Sequence, residues 1–149
     1  MSIKQFKDSR GTFMPYDVNG WDQVNIVTNK NAFTFRGMHW QTNPAQIKCV
    51  KVIQWSVIDI LYNLKTLKVE FYNLDSSSEP LTVGEDYAHG YLTLEPNTIF
   101  TYLVKGEYNP NSEHSLVWNK VKEIKDMINI ITGNKKLIIS DKDKLGKWK

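Results

Sequence analysis

"KCVKVIQW" (48–55) runs directly into "SVIDILYNL" (56–64). Both stretches are crowded with β-branched and aromatic side chains, which fit a pleated, half-buried strand. They read as two neighbouring strands, and the same texture extends to either side. "VNIVT" (24–28), "FTFRGMHW" (33–40), "KVEFYNL" (68–74), "PLTVG" (80–84), "GYLTLE" (90–95) and "TIFTYLVKGEY" (98–108) are further strands. Turn signals such as "TNKN", "TNP", "LDSSSEP" and "EPN" separate them. "NIITG" (129–133) and "KLIIS" (136–140) add two late strands, and "EHSLVWNKVKEIKDM" (113–127) is the only helical candidate. Many short strands at regular spacing predict an all-β fold: a sandwich, jelly roll or barrel that can hold a ligand among inward-pointing side chains.

A chain of 149 residues, 41% hydrophobic and 12% aromatic, suffices for one globular domain over 1–149, with 144–149 expected as a frayed basic tail. No apolar run approaches the roughly 20 residues that cross a bilayer. "MSIKQFKDSRG" (1–11) has no signal-peptide core, so a cytoplasmic protein with no membrane partner is expected. The net charge of +3 is local: residues 135–149 carry six Lys and two Asp, a net +4, which leaves −1 for the rest. A nucleic-acid partner is therefore not expected. The single cysteine, Cys49, excludes an intrachain disulfide and a multi-cysteine metal site. In its apolar run it is expected to be a buried, inert thiol.

The informative polar residues of an all-β chain are those set inside apolar strands, because an unpaired buried polar group costs roughly 1–3 kcal/mol. Lys48 precedes "CVKVIQW", Asp59 splits "SVIDIL", His89 lies between "DYA" and "GYL", and Tyr102 sits in "IFTYLV". His39 stands among bulky apolar neighbours in "FRGMHWQ" (35–41). Each alone is compatible with a satisfied core residue or a surface residue. Arginine usage adds a second signal, since Arg10 and Arg36 are the only two against seventeen lysines. The planar guanidinium grips a phosphate or carboxylate with two hydrogen bonds, as lysine cannot.

Taken in order, the motifs resemble the dTDP-4-dehydrorhamnose 3,5-epimerase family, metal-free cupins acting on nucleotide-linked keto sugars. "DSRGTF" (8–13) resembles D-x-R-G-x-F, "QVN" (23–25) Q-x-N, "RGMHWQ" (36–41) R-G-x-H-[FY]-Q, and "AQIKCVKV" (45–52) the Q-x-K-L-V stretch. "VIDILYNLK" (57–65) resembles V-x-D-V-x-V-D-[LI]-R, and "YAHGYLTL" (87–94) resembles F-A-H-G-F-x-x-L, with Tyr102 following. "YNPNSEHSLVWN" (108–119) resembles Y-x-P-x-x-E-x-x-[IL]-x-W-N, and "LIISDKD" (137–143) the closing L-S-x-K-D. The resemblance implies a cupin-type jelly-roll β-barrel with at most one or two short helices. It also implies no cofactor, a nucleoside-diphosphate sugar as substrate, and a homodimer. His39 is then the general base, Asp143 its orienting carboxylate, Tyr102 the general acid and Lys48 the stabiliser of an enolate. Arg10, Gln23, Asn25, Arg36, His89, Glu113 and Lys142 match substrate-binding positions, and Tyr108 matches an aromatic that stacks on the thymine.

The chemistry suits these residue types. Epimerisation beside a ketone needs a base on one face of the ring and a proton donor on the other, tasks that a neutral His and a Tyr hydroxyl perform near pH 7. A lysine ammonium aimed at the ketone oxygen acts most strongly on the charge that grows there. Metal-dependent cupins use two histidines one residue apart and a nearby glutamate. Here Gln41 follows His39 at that spacing and no glutamate comes before Glu70, so no metal is expected. Pro15 replaces a nucleotide-contacting glutamate of the family pattern, Trp55 a turn glycine, and Asn63 and Lys65 an aspartate and an arginine. Two rival readings are a 3,4-ketoisomerase of the same fold and a non-catalytic sugar-nucleotide-binding cupin. The base–acid pair favours the epimerase.

Overall fold

The structure, a computed structural model, describes residues 6–13 and 15–146. A short hairpin, β1 (Phe6–Asp8) and β2 (Gly11–Phe13), precedes two antiparallel sheets. One contains, in spatial order, β3 (Gln23–Asn29), β10 (Thr98–Lys105), β5 (Ile47–Gln54) and β8 (Leu81–Val83). The other contains β11 (Glu113–Ser115), β4 (Phe35–Gln41), β9 (Tyr87–Thr93), β6 (Ser56–Asn63) and β7 (Val69–Asp75). From β3 to β11 the chain changes sheet at every connection except β6 to β7, which gives a jelly roll. The expected strands from 24–28 to 98–108 all form, displaced by up to three residues at their ends.

Val50, Val52, Val57, Leu61, Leu74, Val83, Tyr91 and Phe100 fill the space between the sheets. Each large apolar side chain removed from water there contributes about 1.5–3 kcal/mol. A second cluster covers the outer face of the five-stranded sheet, where Phe35, Met38, Ile60, Ala88 and Leu92 meet Ile124 and Ile128 of the helix α1 (Lys122–Thr132). That sheet is therefore covered on both faces, so β9 is almost continuously buried instead of alternating. Cys49 is buried, and burial raises its thiol pKa.

The C-terminal third departs from expectation. Residues 129–132, expected to begin a strand, close α1. The i, i+4 placement of Ile124 and Ile128 on the core decides the matter over the β propensity of "NIIT". Gly133, at φ 58°, caps that helix in the left-handed region. The expected helix over 113–127 is divided among β11, a 3₁₀ turn at Trp118–Lys120 and the start of α1. Residues 136–140 supply only a single bridge, Thr34 with Ile138. Lys144 and Leu145, expected in a frayed tail, end the helix α2 (Asp141–Leu145), and 147–149 lie outside the described residues. No helix among the described residues is long and apolar enough to cross a membrane.

Candidate active site

The sheets face each other across two adjoining cavities that share His39, Lys48 and Tyr102. One cavity adds Val27, Arg36, His89, Tyr91, Lys142 and Asp143 to these three, and the other adds Gln23, Asn25, Tyr108 and Glu113. Arg36 and His39 are three residues apart on β4 and would face opposite sides of a regular strand. Their partners on β9, Tyr91 and His89, are only two apart. The extra residue on β4 is a bulge, and it turns both side chains into the cavity. The strands approach closely here. A Cβ added to Gly90 would lie 2.7 Å from Met38 Sδ and 2.8 Å from Arg36 O, and one added to Gly37 would lie 2.5 Å from Gly90 Cα.

His39 comes from the five-stranded sheet, and Lys48 and Tyr102 from the four-stranded one. A ring held between the sheets therefore meets the histidine from one wall and the lysine and tyrosine from the other. His39 Nε2 lies 2.5 Å from Asp143 Oδ1, and Gly37 N–H donates to Asp143 Oδ2 at 3.2 Å. Asp143 is buried on α2, where Ser140 Oγ accepts from the Asp143 N–H and caps the helix. Burial alone would raise the Asp143 pKa. The hydrogen bond and charge of His39, the Gly37 N–H and the charge of Lys142 outweigh it, and the carboxyl lies below its ordinary value.

Burial lowers the Lys48 pKa, opposed by the carboxylates of Glu113 and Asp59. The Lys48 ammonium lies 6.0 Å from the centre of the Tyr102 ring. Burial raises the Tyr102 pKa, so its hydroxyl keeps its proton. A second pair stands across the strand from the first: His89 Nε2 lies 2.8 Å from Oδ2 of the fully buried Asp59. The other Asp59 oxygen has no hydrogen-bond partner. Asp59 therefore faces the interior, where it orients His89. At the mouth, Lys142 Nζ donates to both oxygens of Glu113 at 3.1 and 3.0 Å, and Tyr108 OH donates to Glu113 at 3.2 Å. Among the described residues no group of His, Cys, Asp or Glu side chains could hold a metal ion.

Eleven of the twelve expected site residues thus line one or both cavities. The twelfth, Arg10, does not: it lies exposed at the β1–β2 turn, where Asp8, two residues away, engages its guanidinium. Sequence reasoning missed Tyr91 and Asn29. Tyr91 lines the cavity, and its one signal is a tyrosine where the family motif has phenylalanine. Asn29, whose side-chain oxygen holds Arg36, carries no signal short of the fold.

Known proteins similar in sequence and fold give the chain a place. The sequence profile of dTDP-4-dehydrorhamnose 3,5-epimerase matches residues 1–148. The chain is 30% identical to the dTDP-4-dehydrorhamnose 3,5-epimerase of Neisseria gonorrhoeae over 129 residues, covering 76% of this chain and 39% of that protein. It is 34% identical to that of Mycobacterium tuberculosis over 101 residues, covering 63% of this chain and 50% of that protein. The chain thus spans half or less of the length of these two relatives. The crystal structure of dTDP-4-dehydrorhamnose 3,5-epimerase from Bacillus anthracis, with TDP and PPi bound, matches with a TM-score of 0.82 at 28% identity, covering 99% of this chain and 91% of that one. With the profile matched along nearly its whole length and the jelly roll shared, the chain belongs to the dTDP-4-dehydrorhamnose 3,5-epimerase family.

Proposed function

We propose that this chain is a cofactor-independent epimerase that inverts C3, C5 or both in a nucleotide-linked 4-keto-6-deoxy sugar. The substrate is of the dTDP-4-dehydro-6-deoxyglucose type, in deoxysugar synthesis such as that of dTDP-rhamnose. One observation carries the reading: His39, backed by Asp143 of α2, reaches the cavity from one sheet, and Lys48 and Tyr102 reach it from the other. Family membership supports the reaction class. The TDP and PPi bound to the Bacillus anthracis relative support a thymidine diphosphate end to the substrate.

His39 takes the proton from the carbon beside the C4 ketone. With Nε2–H donated to Asp143, its Nδ1 lone pair is free to do so, and the carboxylate steadies the imidazolium that forms. The C–H electron pair moves into an enolate, whose oxygen charge is met by the Lys48 ammonium. Tyr102 then gives its hydroxyl proton to the opposite face of the same carbon, restoring the ketone with inverted configuration. Solvent returns a proton to the phenolate and removes one from His39. Arg36 grips the diphosphate, with Gln23, Asn25 and Lys142 beside it, and Glu113 orients Lys142 and Tyr108 at the nucleotide end.

The working unit is a homodimer. Val24, Ile26 and Ile53 lie exposed on the outer face of the four-stranded sheet, around an apolar groove. Lys51, which also lines the groove, turns its ammonium to the Ser76 and Ser78 carbonyls, and the largely apolar face that remains is complementary to itself, as a two-fold interface requires.

The test is solvent exchange. Incubation with dTDP-4-dehydro-6-deoxyglucose in D2O, followed by NMR, is expected to place deuterium at C3, C5 or both. His39→Asn abolishes the exchange, while Tyr102→Phe spares exchange more than product formation. No exchange above a heat-killed control, or normal exchange by His39→Asn, overturns the reading.

A further inference from the structure

Asn29 closes the edge strand β3 with its side chain buried, 2% exposed. Its Nδ2 donates to the Thr98 carbonyl at 3.2 Å, which fixes the amide and turns Oδ1 the other way. Oδ1 accepts from two donors, Arg36 Nε at 2.9 Å and Tyr91 OH at 3.3 Å. Both donors belong to the opposite sheet and are register partners of each other on β4 and β9. One amide therefore joins the two sheets beside the cavity.

Arg36 is exposed to that cavity with its Nε committed. Among the described residues its two terminal nitrogens have no hydrogen-bond or ion-pair partner. Tyr91 is 4% exposed and lines the same cavity. Burial raises its pKa to about 12, so the hydroxyl remains a donor. The family motif F-A-H-G-F has phenylalanine at this position, so the motif does not require the hydroxyl.

We infer that Asn29 and Tyr91 are positioning residues that hold the Arg36 guanidinium by one edge, so that its terminal fork faces the diphosphate of a nucleoside-diphosphate ligand. An arginine held through Nε presents its two terminal N–H groups in the parallel geometry that binds phosphate oxygens bidentately. An untethered arginine loses rotamer freedom when it binds, and the tether removes part of that loss beforehand. Tyr91 keeps the acceptor aligned from the opposite sheet. The inference rests on the proposed function in one respect, the role of Arg36 on the diphosphate.

Calorimetric titration of the full chain with dTDP and with dTMP, which lacks the second phosphate, separates the two ideas. Arg36→Ala is expected to remove most of the preference for dTDP. Asn29→Ala weakens dTDP binding about tenfold, as the loss of a hydrogen bond to a charged group does, and leaves dTMP binding in place. Tyr91→Phe has a smaller effect in the same direction, and in turnover both losses fall on KM. If Arg36→Ala binds dTDP as the wild type does, the diphosphate role of Arg36 itself fails. If Arg36→Ala loses the preference but Asn29→Ala and Tyr91→Phe keep it, the tether is overturned and the diphosphate role stands. Equal weakening of both nucleotides assigns Asn29 a structural role only. Should Asn29→Ala not fold, Tyr91→Phe decides alone, with wild-type dTDP affinity and KM overturning the inference.

Discussion

His39 and Asp143 are 104 residues apart in sequence and 2.5 Å apart in space. Asp143→Asn keeps the size of the side chain and loses the charge behind the imidazole. The rate of deuterium incorporation is expected to fall roughly 10⁴-fold, in line with carboxylate loss in other His-centred sites. The same pair sets an acid dependence of stability. The folded Asp143 pKa lies below its unfolded value near 4, so its stabilisation is fully present above about pH 5. That stabilisation is lost as pH falls through the folded pKa. Melting temperatures of wild type and Asp143→Asn, measured from pH 7 to 2, should therefore differ at neutral pH and converge in acid. Lys48 has the opposite sign: burial depresses its pKa, so the charged form opposes folding at neutral pH. Lys48→Met is expected to melt at a higher temperature than wild type while losing roughly 10²-fold or more in kcat.

At the scale of elements, the bulge on β4 decides whether a site exists. It works because Gly37 and Gly90 let β4 and β9 touch at the backbone, and a Cβ at either would meet backbone or Met38 within 3 Å. Gly90→Ala is expected to destabilise the fold by about 1–3 kcal/mol and to separate His39 from His89. A lowered denaturation midpoint with lost exchange activity would check it. The helix α2 has a comparable task, since its five residues carry both Lys142 and Asp143. Ser140→Ala removes its cap and should cost about 1 kcal/mol, read in urea denaturation. The tilt of Asp143 changes with it, so kcat is expected to fall more than KM rises. The "RGMHWQ" and "YAHGY" motifs were legible in the sequence, but the register shift between them was not. It arises from the pairing of two strands that each read as regular alone.

The whole molecule is a device for bringing distant strands to one cavity, because its chain alternates between sheets. That alternation places His39 on one wall and Lys48 and Tyr102 on the other, and it leaves the outer face of the four-stranded sheet bearing Ile26 and Val24. Ile26→Asp is expected to shift the molar mass measured by light scattering from dimer to monomer. Overnight dialysis against EDTA should leave the exchange rate unchanged, since the described donors do not assemble into a metal set.

By itself the sequence determined the strands between residues 24 and 108, the all-β class and, through ordered motifs, the family, while the hairpin of β1 and β2 went unread. These are written in local composition, because β-branched runs and turn residues act over a few positions. The tertiary structure decided what depends on contacts between remote segments. Burial of Ile124 and Ile128 made a helix where "NIITG" read as a strand. The core-facing Asp59 became the partner of His89, and the turn at β1–β2 gave the Arg10 guanidinium to Asp8. Asn29 acquired its place only when β3 and β4 were brought face to face, since a hydrogen bond between two sheets has no signature in either strand.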